Sequence, residues 1–160
     1  MKAVVLLSVG AHPATGRPRP SHADLAALET PRRAGLRAWG VHAGPASEVL
    51  RDYGGYGLEH LTVLQPEPGA ARAAAIAEFA STHGLELILA GARGELPDSD
   101  GMLPYDVAHR LGWRVLPDIV ELACPHGRGE AVAWLPGSRR RRYLDARRSV
   151  LVVRPQEIRT

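Results

Sequence analysis

The chain has 160 residues, of which 45% are hydrophobic and 23% charged, with a formal net charge of +3. Those proportions belong to an ordinary globular domain, and the single cysteine, Cys124, excludes both a disulfide framework and a cysteine-built zinc site. No stretch approaches the roughly twenty apolar residues of a membrane span, and the apolar run after Met1-Lys2 is too short for a secretory signal. The expectation is therefore a cytoplasmic protein with one domain over residues 1–160 and no membrane insertion.

In chain order, Ala3 to Ser8 reads as a buried strand, because apolar and small residues run on with little polar interruption. Gly10 to Pro20 carries Gly10, Pro13, Gly16, Pro18 and Pro20, which predicts irregular backbone. Ser21 opens a short helix ending near Pro31. Leu36 to Ala43 reads as a second strand, stopped by Gly44-Pro45. Ser47 caps a helix that breaks at Gly54-Gly55, and His60 to Leu64 is a third strand. Gly69 to His83 is the clearest helix, since Ala73, Ile76, Ala77 and Ala80 recur on one face and Gly84 ends it.

Leu87 to Ala90 then forms a fourth strand, followed by a loop rich in Gly, Pro and Asp and by a helix from Pro104 to Leu111. Ser99 or Asp100 suits the cap of that helix, and Pro104 its first turn. Arg114 to Ala123 is a fifth strand, with Pro117 at an edge, bend or bulge. Glu130 to Leu135 and Arg140 to Asp145 flank Pro136-Gly137-Ser138 as a hairpin does, and Ser149 to Arg154 is a last, β-branched strand. Strands alternating with helices predict an α/β fold. Its open, mainly parallel twisted sheet is flanked by helices, with antiparallel strands at the C-terminal end.

In such sheets ligands sit beyond the carboxyl ends of the strands, and a helix start there attracts phosphate. The loop from Gly91 to Pro104 is thus the candidate binding site. Asp100 works against a phosphate there unless its carboxylate points away. A fold relative that has lost nucleotide binding therefore stays open. The seven His are scattered without metal-ligand spacing, so no metal site is expected. No nucleophile stands near Asp98 and Asp100, so no catalytic set is expected either. Residues 137–160 hold eight Arg against Asp145 and Glu157. No aromatic residues interleave with Arg139 to Arg142 for base stacking, so no nucleic-acid partner is expected. A solvated hairpin, with Arg stems lying across apolar surface, accounts for them, and an acidic partner subunit is the next possibility.

The order of elements and the local wording resemble the β subunit of electron transfer flavoproteins. That family carries a Gly-Pro pair after the second strand, as Gly44-Pro45 does here. It places G-R-Q-x-x-D-G-D-T-G-Q-V-G-P after the fourth strand, which falls without a gap on Gly91 to Pro104. Gly91, Asp98 and Pro104 match, Ser99 stands for Thr, and Met102 for Val. Leu111-Gly112-Trp113 then matches the family's L-G-W. Pro97, Asp100-Gly101 and Leu103 depart from the motif.

The resemblance implies an adenine nucleotide α-hydrolase-like fold and a structural, redox-inactive AMP. That AMP would be held at Leu6, at Ala43 and at Asp98, Ser99, Asp100, Gly101, Met102 and Leu103. It also implies FAD shared with an electron transfer flavoprotein α-like subunit, in a heterodimer that carries electrons from dehydrogenases. Family members run on well past this length, with a loop that recognises dehydrogenases and an arm that wraps the α subunit. Both are absent here, so the chain reads as a short, C-terminally truncated member. The alternative is a stand-alone adenine-nucleotide-binding or regulatory module of the universal-stress type, possible as a homodimer.

Overall fold

The apolar runs of the sequence become the middle of one large sheet. The computed structural model describes residues 2–37, 39–66, 71–92, 102–124, 129–135, 137 and 139–154. Its elements begin with β1 (Ala3–Leu6), β2 (Val9–Ala11), β3 (Pro18–Pro20), α1 (His22–Arg33) and β4 (Trp39–Ala43). A 3₁₀ helix (Glu48–Tyr56), β5 (His60–Leu64), α2 (Arg72–Thr82), β6 (Leu87–Gly91) and α3 (Leu103–Leu111) follow. The chain continues with β7 (Arg114–Ala123), β8 (Glu130–Leu135), β9 (Arg139–Tyr143) and β10 (Ser149–Val153).

Eight strands form one sheet in the order β5-β4-β1-β6-β10-β7-β8-β9. Neighbours from β5 to β7 are parallel, and β8 and β9 add on antiparallel. The expected fold class is the observed one. β10, last in sequence, lies between β6 and β7, with Val150 opposite both Ile88 and Val115. All five of its residues are buried, as a strand with neighbours on both edges and cover on both faces requires.

Alternation along each strand divides the core into two layers. Ala3, Val5 and Leu7 face Ala27 and Leu28 of α1 and Leu50 and Tyr53 of the 3₁₀ helix. Val4 and Leu6 face Ala73, Ile76 and Ala80 of α2 and Val107 and Ala108 of α3. The face of α2 predicted from its periodicity is the buried one, although Gly69, where that helix was expected to start, lies outside the described residues.

Several boundaries differ from the sequence reading. The stretch from Gly10 to Pro20 is not wholly irregular, because β2 and β3 pair antiparallel with Val9 opposite Pro20 and Ala11 opposite Pro18. Pro18 and Pro20 are tolerated because the two strands have only each other as partners, so each keeps one edge free of ladder bonds. The first helix runs through Pro31 to Arg33. It closes when the Gly35 N–H donates to the Arg32 carbonyl and the Leu36 N–H to the Pro31 carbonyl. Leu36 therefore belongs to the helix terminus, and the next strand begins only at Trp39.

Gly54 and Gly55 do not break their helix. The left-handed exit is at Gly57, with φ 97°, and the Ser47 Oγ caps the start by accepting from the Val49 N–H at 3.3 Å. Of the edge, bend or bulge expected at Pro117, an edge is excluded, since the strand lies between β10 and β8. Asp118 has φ 56°, and the register against β10 shifts between Leu151 and Val153, as a bulge does. The second hairpin strand ends at Tyr143. Asp145 lies beyond it and accepts from the Arg147 backbone and guanidinium.

Candidate functional site

The strand order reverses between β1 and β6. From β1 the chain moves outward through β4 to β5, and from β6 it builds the other half of the sheet. Crevices at such reversals, beyond the carboxyl ends of the strands, are where open α/β sheets hold ligands. Here that edge is formed by Leu6 to Ser8 after β1, Ala43 and Gly44 after β4, and Gly91 at the end of β6.

On the α1 flank, the edge is closed by the chain itself. The Asp24 carboxylate, in the first turn of α1, accepts from the Ser8 N–H at 2.7 Å and from the Ser8 hydroxyl at 2.6 Å. The Tyr53 hydroxyl donates to the Ser8 carbonyl at 2.6 Å and accepts from the Ser21 N–H at 2.9 Å. Tyr53 is fully buried and Asp24 nearly so. The Asp24 carboxylate thus puts negative charge in the first turn of α1, which disfavours an external anion there, although the N-cap Ser21 makes no side-chain cap hydrogen bond. Gly91 presses against the same turn: a Cβ there would lie 2.6–2.7 Å from the Ala23 backbone and side chain. No gap remains on this flank between β6 and α1.

On the α2/α3 flank, the helix starts carry no side-chain caps. The N-cap of α3 is Met102, which makes no side-chain cap hydrogen bond; Ser99 and Asp100, the expected caps, lie outside the described residues. Pro104 lies in the first turn as expected. The N-cap of α2 is Ala71, also uncapped. The first-turn N–H groups of such helices have no intrahelical acceptor and carry the positive end of the helix dipole.

Arg72, the first residue of α2, adds a full charge. Its guanidinium carbon lies 4.0 Å from the position a Cβ would take on Gly44, beside the end of β4. His42 ties the same corner together: its Nδ1 is 2.8 Å from the Leu7 carbonyl oxygen and its Nε2 is 3.1 Å from that of Pro45. A neutral imidazole has one N–H and can donate to only one of these carbonyls.

Of the site residues read from the sequence, Leu6 and Ala43 are brought together on adjacent strands. Both are buried in the layer that α2 and α3 cover. What they can offer a ligand is backbone at the strand ends. Leu103 packs against that same layer, and Met102 stands more than half exposed at the start of α3. Asp98, Ser99, Asp100 and Gly101 lie outside the described residues.

The sequence reading missed Asp24, Tyr53, His42 and Arg72. Arg72 alone had a local signal, as the first charged residue of the clearest helix after a Pro- and Gly-containing loop. Among the described residues no group of three His, Cys, Asp or Glu is placed to hold a metal, and no helix is long and apolar enough to cross a membrane. Cys124 packs against the α1-side core, and burial pushes its thiol pKa up, which disfavours the nucleophilic thiolate.

Comparison with known proteins bears on the same residues. The sequence matches the electron transfer flavoprotein domain over residues 14–159. It is also 32% identical, over 148 residues, to the electron transfer flavoprotein subunit beta of Chromohalobacter salexigens. That alignment takes in 89% of this chain and 55% of the relative, so the chain spans about half the length of the curated protein it matches. With the sheet order, the strand-end crevice and these matches in hand, the chain belongs to the electron transfer flavoprotein family, as a β-subunit-like member.

Proposed function

We propose that the chain is the β-like half of an electron-carrying flavoprotein. In this reading it pairs with an α-like subunit, forms one wall of an FAD site and holds a structural AMP. It performs no chemistry of its own. FAD, when bound, supplies the reversible uptake of electrons. This chain supplies a wall, an anchoring nucleotide and a surface for its partner.

The observation that carries the AMP assignment is the asymmetry of charge at the strand-end crevice. Among the described residues, none of the three α-helix N-caps makes a side-chain cap bond, but the α1 flank has the Asp24 carboxylate on Ser8, whereas the α2/α3 flank has the Arg72 guanidinium beside Gly44. Phosphate fits such a place, because backbone N–H groups, the helix dipole and a guanidinium all favour an anion. The base would sit against the backbone after Leu6 and Ala43. The phosphate would lie toward the start of α3 at Met102 and Leu103 and toward Arg72. The buried aliphatic side chains of Leu6, Val41 and Ala43 hold that backbone in place beneath it.

The test is co-expression with an electron transfer flavoprotein α-like subunit, followed by analysis of what purifies. A yellow heterodimer that releases both FAD and AMP on denaturation is the expected result. A colourless homodimer that releases AMP alone supports the stand-alone module instead. A colourless chain without nucleotide contradicts both assignments.

A further inference from the structure

The sheet ends on β9, which is paired only to β8, with Val132 opposite Arg142 and Leu135 opposite Arg139. Among the described residues, its outer edge carries no further strand. Four successive arginines, Arg139 to Arg142, are exposed on it. Their side chains alternate between the two faces of the sheet. No carboxylate of the described residues pairs with Arg140, Arg141 or Arg142. The nearby Asp145 is committed to Arg147, at 2.7 Å.

The guanidinium of Arg140 lies 5.3 Å from the centre of the Trp134 ring. Both residues also line a groove of about 1070 Å³ between α1 and the β7–β8 strands, with Leu25, Leu122 and Tyr56 among its walls.

Charge on an edge strand blocks indiscriminate pairing. Four like charges in a row do more than block, because they select. A second copy of β9 laid antiparallel would set Arg against Arg on both faces, which is unfavourable. A strand bearing carboxylates would meet a cation at every position on either face. Such an arrangement rejects one class of partner and admits another.

We propose that β9 is the docking edge for an extended acidic segment of a partner protein, which adds to the sheet as a further strand. Such a partner is brought beside the groove that Arg140 shares, so a basic rim adjoins an apolar floor, as protein interfaces are built. This inference rests on the heterodimer reading for the partner's identity, the α-like subunit, but its chemistry can be tested without that subunit.

Two experiments separate the claims. In the first, the chain carrying Arg140→Glu, Arg141→Glu and Arg142→Glu is assembled with the α-like subunit. A matched triple Arg→Lys variant serves as control, and thermal melting verifies the fold of each. Assembly about 100-fold weaker for the Glu variant, with the Lys variant close to native and native assembly weakening as salt rises, is the expected result. A folded Glu variant that assembles as the native chain does overturns the inference.

In the second, amide hydrogen exchange of the native chain is followed with a peptide of alternating Glu and Val, and with its Lys counterpart. Slower exchange in β9 with the Glu peptide alone supports the edge, and unchanged exchange overturns it. If the native chain does not assemble with the α-like subunit at all, the heterodimer reading fails and the peptide experiment alone decides the edge.

Discussion

The two flanks of the strand-end crevice start from the same architecture and finish differently. Each presents a helix start to the carboxyl ends of β1, β4 and β6, and each start attracts negative charge. On the α1 flank the chain provides that charge itself, through Asp24, and seals the contact with Tyr53 and a glycine at position 91. On the α2/α3 flank the first-turn acid of α3, Asp106, is exposed, Ala71 and Met102 are caps without side-chain cap bonds, and Arg72 adds a positive charge. The fold makes anion sites wherever a helix follows a parallel strand, and the flanks differ in whether a first-turn carboxylate is bonded to a strand end, as Asp24 is, or exposed, as Asp106 is.

The comparison breaks hardest at Gly91. Gly91→Val puts a side chain into the Ala23 backbone, which cannot retreat as the end of a flexible side chain can. A loss of about 3 kcal/mol is expected, measured as the shift in urea midpoint at unchanged slope. Asp24→Ala is next. It leaves the Ser8 N–H and hydroxyl without their acceptor inside the protein, and should cost about 2 kcal/mol. AMP retention should be unchanged in the folded fraction.

Arg72→Ala reverses that pattern. Stability should stay within about 0.5 kcal/mol, while AMP binding weakens about tenfold by calorimetry, as expected for loss of one charge-assisted contact. If Asp24→Ala releases nucleotide and Arg72→Ala does not, the assignment of the two flanks is wrong.

The smallest effect lies away from the crevice and serves as a control. Hydrogen bonds from the Arg147 side chain, then its backbone, lower the pKa of the Asp145 carboxyl from 3.8 to about 2. A carboxyl lowered by folding stabilises the native state above its unfolded value, and that contribution is lost as pH falls through about 2. Both residues are exposed, so the effect is screened and slight. Asp145→Asn should flatten the acid limb of the stability profile between pH 4 and 2 without touching nucleotide binding.

How far these features could be read from sequence depends on whether their cause is local. β1, β6 and the apolar face of α2 were legible because continuous or periodic apolar runs have few other uses. That Pro117 marks an edge, bend or bulge was legible because a missing N–H must be accommodated somewhere in a strand, but which of the three was not. The central place of β10 was not, since a run such as Val150 to Val153 signals burial but not which neighbours bury it.

The same limit hid the closed flank. Asp24 and Tyr53 matter through Ser8, which lies 16 and 45 residues away, and nothing in their own surroundings marks them. Pro18 and Pro20 misled in the other direction, because the rule against proline in sheets is a rule about interior strands. The family resemblance pointed to the strand ends, where Leu6 and Ala43 lie on adjacent strands and Met102 and Leu103 open α3. It carried no information on Arg72, which becomes visible only once α2 is seen to start beside Gly44.

The central claim is that nucleotide enters on the α2/α3 flank alone. Amide hydrogen exchange of the chain with and without added AMP measures this residue by residue. The account predicts slowed exchange at Gly44, at Ala73 and in the first turn of α3, with Ser8, Ala23 and Leu25 unchanged. Protection confined to the α1 flank, or none on either flank at saturating AMP, would contradict it.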